Sequence, residues 1–152
     1  MNVLITGVSF GLGKSLKNQY LNMGKNVYGL SRTEVTDCKH KIFDLSVFSN
    51  KLLLDNLYKI GVNIKQVVCI SSGASQNTYK GWGGYSISKA ALRMMMKVYS
   101  KDILETHFTS LAPGLVDTKM QKHLCNEVDI TEFPETSKFI ESRDKGITRS
   151  SD

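Results

Sequence analysis

Tyr85 and Lys89 are four residues apart in a segment whose apolar pattern predicts a helix, so their side chains share one helix face. A phenol has a pKa of about 10 and is a poor acid–base catalyst at neutral pH unless a nearby ammonium stabilises its phenolate. Lys89 can supply that ammonium. Ser72, at the end of an apolar strand, can hydrogen-bond a reacting carbonyl. These three residues predict a catalytic site for hydride transfer, with Tyr85 as the general acid.

A glycine-rich segment, residues 6–13, separates the first predicted strand from the first predicted helix. Glycines permit a sharp turn and let a pyrophosphate approach the backbone, where the start of the helix offers unpaired N–H groups. The flanking strand and helix favour a dinucleotide-binding loop, although a plain strand–helix turn would have the same pattern. The cofactor-binding residues predicted here are Gly7, Ser9, Phe10, Gly11, Leu12 and Gly13.

Residues after the second and third predicted strands bear on which cofactor binds. An acid after the second strand would bind the ribose 2′-hydroxyl of NAD, whereas an arginine can hold a 2′-phosphate. Arg32 therefore favours NADPH, although Glu34 is close by and a solvated surface arginine is the alternative. Asp44, followed by Leu45, is placed to meet an adenine edge, and a helix-capping acid is the other interpretation.

The period of the apolar pattern changes repeatedly and predicts alternating strands and helices. Strands are predicted over residues 2–6, 26–30, 39–43, 66–71 and 108–112, and helices over 11–23, 46–60 and about 86–104. Such alternation is typical of parallel strands joined by right-handed crossovers, so the expected fold is α/β with a doubly wound, Rossmann-type parallel sheet. The inner stripe of the helix over 46–60 is assigned to Leu53, Leu57 and Ile60.

Length and charge suggest one catalytic domain followed by a tail. The chain has 152 residues, of which 41% are hydrophobic, which is enough for one domain with a substantial core. We assign residues 1–125 to a cofactor-binding and catalytic domain and residues 126–152 to a charged lid or tail. The net charge is +6, with basic residues scattered along the domain and no nucleic-acid-binding motif, so we expect no nucleic-acid partner.

The sequence lacks the patterns typical of membrane spans, targeting segments, disulfides and metal sites, and this limits the expected partners and compartment. No apolar run reaches the roughly 18 residues of a membrane span, and no targeting pattern precedes the first strand, so we expect no membrane partner. The three cysteines have no paired spacing, which favours free thiols in a reducing cytoplasm. With three scattered histidines they form no metal-ligand pattern, so no metal site is expected.

Four segments, residues 71–74, 79–82, 85–91 and 111–121, resemble the short-chain dehydrogenase/reductase family, in particular its sepiapterin reductase and benzil reductase branch. The resemblance extends from Met1 to about Gln121. It implies NADPH-dependent reduction of a carbonyl, such as a ketone, a diketone or a pterin side chain. It also implies the roles given above for Ser72, Tyr85 and Lys89, with Tyr85 and Lys89 also touching the cofactor and Lys89 holding the nicotinamide ribose.

The resemblance further implies how the nicotinamide carboxamide would be held. Backbone groups near Val116 and the Thr118 hydroxyl would cradle it, within a segment that includes Pro113 and Gly114. Tyr79 and Trp82, just before the catalytic tyrosine, could line a substrate pocket or simply pack their loop.

The chain departs from the family in front of the strand that ends at Ser72. Family members place a strand ending in Asn-Asn-Ala-Gly and a long helix there, whereas only residues 61–65 separate the predicted helix over 46–60 from that strand. The family's catalytic asparagine comes from the missing helix, so no residue inherits its role. The chain also ends before the family's last strand and helix. We therefore expect an internal deletion and a short C-terminus.

The deletion has two expected consequences. If the serine strand closed up against the first strand, Ser72 and Tyr85 would move by about 4.8 Å relative to the glycine loop. A stripe of methionines and neighbours on the helix of Tyr85 could also lose its cover and become an oligomer surface, which favours a homo-oligomer; packed core is the other interpretation. Two functions stay open, an active carbonyl reductase and a catalytically impaired cofactor-binding or interaction protein.

Overall fold

The structure is a computed structural model that describes residues 1–44, 46–146 and 148–149. Its strands are β1 (Asn2–Thr6), β2 (Asn26–Ser31), β3 (Lys39–Ile42), β4 (Gln66–Ile70), β5 (His107–Leu111), β6 (Val116–Asp117) and β7 (Thr148–Arg149). Its helices are α1 (Gly11–Asn22), α2 (Val47–Lys59), α3 (Gly83–Asp102), α4 (Lys119–Asn126) and α5 (Ser137–Gly146). Every strand and helix predicted before residue 113 is present, with ends that agree to within three residues.

The strands form parallel sheets, which confirms the α/β class. The first sheet has the order β1-β2-β3, and its register places Leu4 beside Tyr28. The second sheet pairs β4 with β5, with Gln66 beside His107. Across the described residues no ladder joins β1 to β4, so the sheet is divided where the sequence predicted a missing strand. The serine strand therefore has not closed up against β1 by strand pairing.

The first sheet is covered on one face by α1. Along β2 the side chains alternate: Val27 and Ser31 are buried, whereas Tyr28 is exposed. This period of two arises because successive residues of a strand face opposite sides of the sheet. The face that carries Tyr28 also carries Leu4, which is 42% exposed. The carboxyl end of β1 leads directly from this sheet into the glycine loop.

The second sheet is covered by α3, against which α2 packs. Leu54 of α2 meets Met96 and Tyr99 of α3 in the main hydrophobic cluster, to which Phe108 of β5 also contributes. The Tyr99 hydroxyl donates a hydrogen bond to the Asp55 carboxylate, and desolvation by burial, followed by this contact, raises the pKa of Tyr99 above its ordinary value. These contacts fix the second half of α3, the helix that carries the predicted catalytic residues, against α2 and β5.

This packing corrects the predicted stripe of α2 and shows that the methionine stripe of α3 is covered only in part. On α2 the buried residue is Leu54, and Ile60 is 72% exposed, so the predicted stripe of Leu53, Leu57 and Ile60 faces partly away from the core. On α3, Met96 is 3% exposed because α2 covers it, whereas Met94 is 58% exposed. No helix within the described residues is both long and apolar enough to span a bilayer.

Candidate active site

Ser72 lies two residues after the end of β4 and caps a short 3₁₀ turn, Gly73–Ser75. Its hydroxyl oxygen accepts a hydrogen bond from the Ala74 N–H at 3.2 Å. This bond uses a lone pair and fixes the rotamer, and the hydroxyl hydrogen is left to donate. Ser72 is half-buried at the carboxyl end of the strand, which is where ligands bind in open α/β sheets.

Tyr85 and Lys89 lie in the first two turns of α3, beside the same strand end. The Lys89 Nζ lies 5.6 Å from the centroid of the Tyr85 ring and donates a hydrogen bond to the Ile70 carbonyl at 3.0 Å. The Ser71 hydroxyl in turn donates to the Lys89 carbonyl at 3.3 Å. The ammonium of Lys89 is thus anchored to the end of β4, between the phenol and the strand that leads to Ser72.

The positive charge of Lys89 also affects the pKa of a thiol within β4. Burial raises the pKa of the Cys69 thiol above its ordinary value, and the nearby Lys89 ammonium opposes that rise. The structure therefore brings the three predicted catalytic residues to one strand end. In the described part of the chain, no hydrogen bond joins the hydroxyls of Ser72 and Tyr85, and no group of histidine, cysteine and acidic residues is arranged to hold a metal ion.

The glycine loop has the close backbone approach that a pyrophosphate needs. A Cβ added at Gly13 would lie 2.1 Å from the Gly7 carbonyl oxygen, so only glycine fits there. The N-cap of α1 is Phe10, which makes no side-chain capping bond, so the N–H groups of the first turn have no side-chain partner and suit an anion. Leu12, half-buried in that turn, follows Gly11. The loop fits a bound phosphate group.

The segment after β5 reaches the same loop from the other side. A Cβ at Gly11, whose φ is +54°, would lie 3.3 Å from the Thr118 methyl carbon, so these two residues are in contact range. The Thr118 hydroxyl accepts a hydrogen bond from the Gln121 N–H at 3.3 Å and caps α4. The Val116 backbone is paired with Thr148. The Val116 backbone is thus engaged within the chain, whereas the Thr118 hydroxyl only accepts and its hydrogen is left to donate.

Residues 113–114 connect β5 to this segment. Pro113 is half-buried, and Gly114 has a φ of +76°, a left-handed conformation that favours glycine. This turn directs the chain from the second sheet back towards the glycine loop.

The residues expected at the adenosine end are more scattered. A cleft of about 430 Å³ lies beside the glycine loop and is lined by Val8, Ser9, Lys14, Lys17 and residues 34–37. Arg32 follows β2 and is exposed, Asp44 is exposed two residues after β3, and neither lines this cleft. Leu45 lies outside the described residues.

Sequence reasoning missed the ion pair inside this cleft. The Lys17 side chain is only 3% exposed, and its Nζ lies 2.5 Å from the Asp37 carboxylate. The pair joins residues twenty positions apart and ties α1 to the loop after β2. The one available signal was a lysine beside the apolar stripe of a helix, and that pattern is usually a solvated face.

Tyr85 belongs to a cluster of four aromatic rings. The Trp82 ring meets the Tyr85 ring edge-on at 5.5 Å, with an interplanar angle of 88°. Tyr79 lies 5.1 Å from Trp82, and Phe139 of α5 stacks on Trp82 at 5.3 Å and 12°. The contacts agree with the loop-packing interpretation of Tyr79 and Trp82 and leave the pocket interpretation open. Phe139 was missed, because it is an isolated aromatic in a charged segment.

Comparison with known proteins agrees with the site. The family description "short chain dehydrogenase" matches residues 47–129, more than half of the chain. Benzil reductase ((S)-benzoin forming) of Bacillus subtilis is 26% identical over 215 residues, covering 98% of this chain and 88% of that protein. Seven further relatives are each matched over only 22% to 36% of their own length. One of them, sepiapterin reductase of Rattus norvegicus, is 41% identical over 58 residues, which is 38% of this chain.

The fold agrees as well. A short chain dehydrogenase/reductase from Saccharomyces cerevisiae superposes with a TM-score of 0.74 and 19% identity, over 99% of this chain and 85% of that one. Parallel strands, a glycine loop before α1 and a Ser–Tyr–Lys set define a Rossmann-type oxidoreductase. The chain belongs to the short-chain dehydrogenase family, as the sequence predicted.

The alignment also bears on the missing segment. The Bacillus subtilis match spans 215 residues, against 152 in this whole chain, so at least 63 aligned positions have no counterpart here. The family match begins at Val47, the first residue of α2, and continues through β4 and α3. The place of the missing segment, put between α2 and β4 by the sequence analysis, stays a prediction.

Proposed function

We propose that this chain reduces a carbonyl compound with NADPH, using Tyr85, Ser72 and Lys89. The observation that carries the proposal is their placement: Ser72 and Lys89 are both fixed at the carboxyl end of β4, and Lys89 lies beside the Tyr85 ring. The reaction class is supported by the family and by the names of the relatives.

Ser72, Tyr85 and Lys89 would each have a separate role in the reduction. Ser72 donates its hydroxyl hydrogen to the substrate carbonyl and orients it. Tyr85 gives its phenolic proton to the carbonyl oxygen as the carbon accepts a hydride, so that the ketone becomes an alcohol. Lys89 stabilises the phenolate left behind and binds the nicotinamide ribose. The cofactor, when bound, supplies the hydride and is oxidised to NADP⁺.

The cofactor would be held at both ends of the glycine loop. Gly7, Gly11 and Gly13 leave room for the pyrophosphate, and the open N–H groups at the start of α1 favour its negative charge. The preference for NADPH rests on the exposed Arg32 after β2, and Lys14 at the neighbouring cleft adds positive charge. Asp44 and Leu45 belong to the proposed adenine side, and residues 113–118 to the nicotinamide side.

The substrate class follows from the relatives and from the aromatic cluster. The matched relatives are named for benzil, a diketone, and for sepiapterin, a pterin. Beside Tyr85, the rings of Tyr79 and Trp82 present an apolar, aromatic surface. We therefore propose a ketone, a diketone or a pterin side chain as the reducible group. All three cysteines are free, which supports the proposed cytoplasmic location.

A homo-oligomer is part of the proposal. The chain exposes 10158 Å², whereas a compact monomer of 17.0 kDa exposes about 7,700 Å². The difference, about 2,400 Å², is of the size that one subunit contributes to a large obligate interface. Exposed apolar side chains such as Leu52 on α2 and Met94 and Val98 on α3 agree with such burial.

Substitution of Tyr85 by phenylalanine tests the enzyme proposal. Loss of a general acid should reduce turnover of a diaryl diketone with NADPH by about 100-fold or more, with NADPH affinity retained. The matched control is Tyr28→Phe, which removes the same hydroxyl from the exposed face of the first sheet and should leave turnover unchanged. Equal turnover by wild type and Tyr85→Phe would refute Tyr85 as the proton donor.

The second candidate is a cofactor-binding or interaction protein that has lost turnover. It is favoured by the break between β1 and β4 and by the pairing of the Val116 backbone with Thr148 within the chain. NADPH binding without any reduction of diketone or pterin substrates by the wild-type chain would support this candidate over the first.

A further inference from the structure

The helix that carries Tyr85 begins without the usual capping. Its N-cap residue is Trp82, which makes no side-chain hydrogen bond to the first turn, and that turn contains no acidic residue. Caps of this kind ordinarily contribute about 1 kcal/mol and set where a helix starts. Since Tyr85 is only the third residue of α3, its position depends on how Trp82 is held.

Trp82 is held by a ring from the far end of the chain. Phe139, on α5, stacks nearly parallel to the indole at 5.3 Å and meets Tyr79 edge-on at 5.6 Å. Trp82 also meets the Tyr85 ring edge-on, with the ring centroids 5.5 Å apart. The indole is therefore in contact with Phe139 and with Tyr85, and aromatic pairs of this geometry contribute about 0.5–1.5 kcal/mol each.

A second contact fixes the same loop to the same segment. A Cβ at Gly81, whose φ is +79°, would lie 2.5 Å from the Phe133 ring, so this ring packs directly on the loop backbone. The Lys80 Nζ donates a hydrogen bond to the Glu132 carbonyl at 2.9 Å and lies 5.6 Å from the centroid of the Phe133 ring. Residues within α5 and just before it thus contact residues 79–82 at two points.

We propose that Phe139 is a positioning residue for the phenol of Tyr85, acting through Trp82, so that α5 is part of the catalytic unit. The inference rests on the proposed function and adds to it a residue outside the predicted catalytic domain. It follows from the uncapped start of α3 together with the stacked and edge-on ring contacts. Phe139 itself need not touch the substrate or the cofactor.

The test compares Phe139→Leu, which keeps an apolar side chain but removes the ring, with Phe139→Tyr, which keeps the ring. The control is Phe48→Leu, the same change at a residue of α2 that is 78% exposed. For each variant we would measure kcat and KM for a diaryl diketone, the Kd of NADPH, and the quenching by acrylamide of Trp82, the one tryptophan of the chain.

A shift of Tyr85 by a fraction of an ångström should appear in turnover. We expect Phe139→Leu to lower kcat by about 10-fold or more, with the Kd of NADPH within about twofold and Trp82 more accessible to acrylamide. Phe139→Tyr should restore both readouts, and Phe48→Leu should change neither. An unchanged kcat in Phe139→Leu, or a loss that Phe139→Tyr shares, would overturn the proposal.

Failure of the proposed function would be distinguishable. If the wild type binds NADPH but reduces no substrate, the enzyme proposal fails, and the acrylamide measurement then decides whether Phe139 holds Trp82. Equal quenching of wild type and Phe139→Leu would overturn the inference in that case.

Discussion

Replacing Gly13 with alanine should destroy the nucleotide site while most of the fold survives. The added Cβ would lie 2.1 Å from the oxygen and 2.7 Å from the carbon of the Gly7 carbonyl, both backbone atoms. Since Cβ atoms do not approach other atoms closer than 3.0 Å, the loop must open by at least 0.9 Å. Misplacement of about 1 Å can cost about 100-fold in function, and overpacking costs about 1–3 kcal/mol.

The matched control is Gly84→Ala. Gly84 is also helical, in the first turn of α3, and an added Cβ there would meet nothing within 4 Å. It should leave the NADPH affinity unchanged and stabilise the chain by no more than about 1 kcal/mol. The assay is an NADPH titration for each variant together with urea unfolding followed by Trp82 fluorescence. If Gly13→Ala binds NADPH as tightly as the wild type, the glycine loop is not where the pyrophosphate binds.

Two further predictions concern charged groups. Asp37→Asn removes the carboxylate from the buried Lys17 ammonium and should destabilise the chain by about 1–3 kcal/mol in urea unfolding. The control is Asp102→Asn, at the end of α3. Equal stability of the two variants would contradict a stabilising role for the Lys17–Asp37 ion pair. A hydrogen bond from the Lys51 ammonium, and to a smaller extent one from the Tyr99 hydroxyl, holds the pKa of Asp55 below its ordinary value. The stability that the Asp55 carboxylate contributes is therefore present above about pH 4 and is lost as the pH falls through its lower, folded-state pKa. The urea midpoints of wild type and Asp55→Asn should therefore converge in acid, and a constant difference between about pH 7 and pH 3 would refute this role.

Local patterns were sufficient to predict most elements and to propose the catalytic set, whose roles remain a prediction. β1 and its glycine loop are signalled by an apolar run followed by closely spaced glycines, and Tyr85 and Lys89 by the helical period. The start of α4 carried a signal that was not used: Thr118 and Gln121 have capping-box spacing, and the Thr118 hydroxyl accepts from the Gln121 N–H.

Other features depend on contacts between distant parts of the chain. Residues 52–54 of α2 are three consecutive leucines, so periodicity could not choose the inner face; Tyr99 and Met96 of α3 select Leu54. The Lys17–Asp37 pair and the stack of Phe139 on Trp82 join elements whose approach no local pattern encodes. The division of the sheet at β1 and β4 was foreseen only as a missing strand.

The central claim is that the divided sheet still builds a site for NADPH. Parallel titrations of the wild-type chain with NADPH and NADH, followed by nicotinamide fluorescence, test it most directly. We predict saturable binding of NADPH and markedly weaker binding of NADH, because the 2′-phosphate would meet positive charge after β2 and at the start of α1. Binding of neither nucleotide would contradict the account, and equal binding of both would remove the assigned role of Arg32.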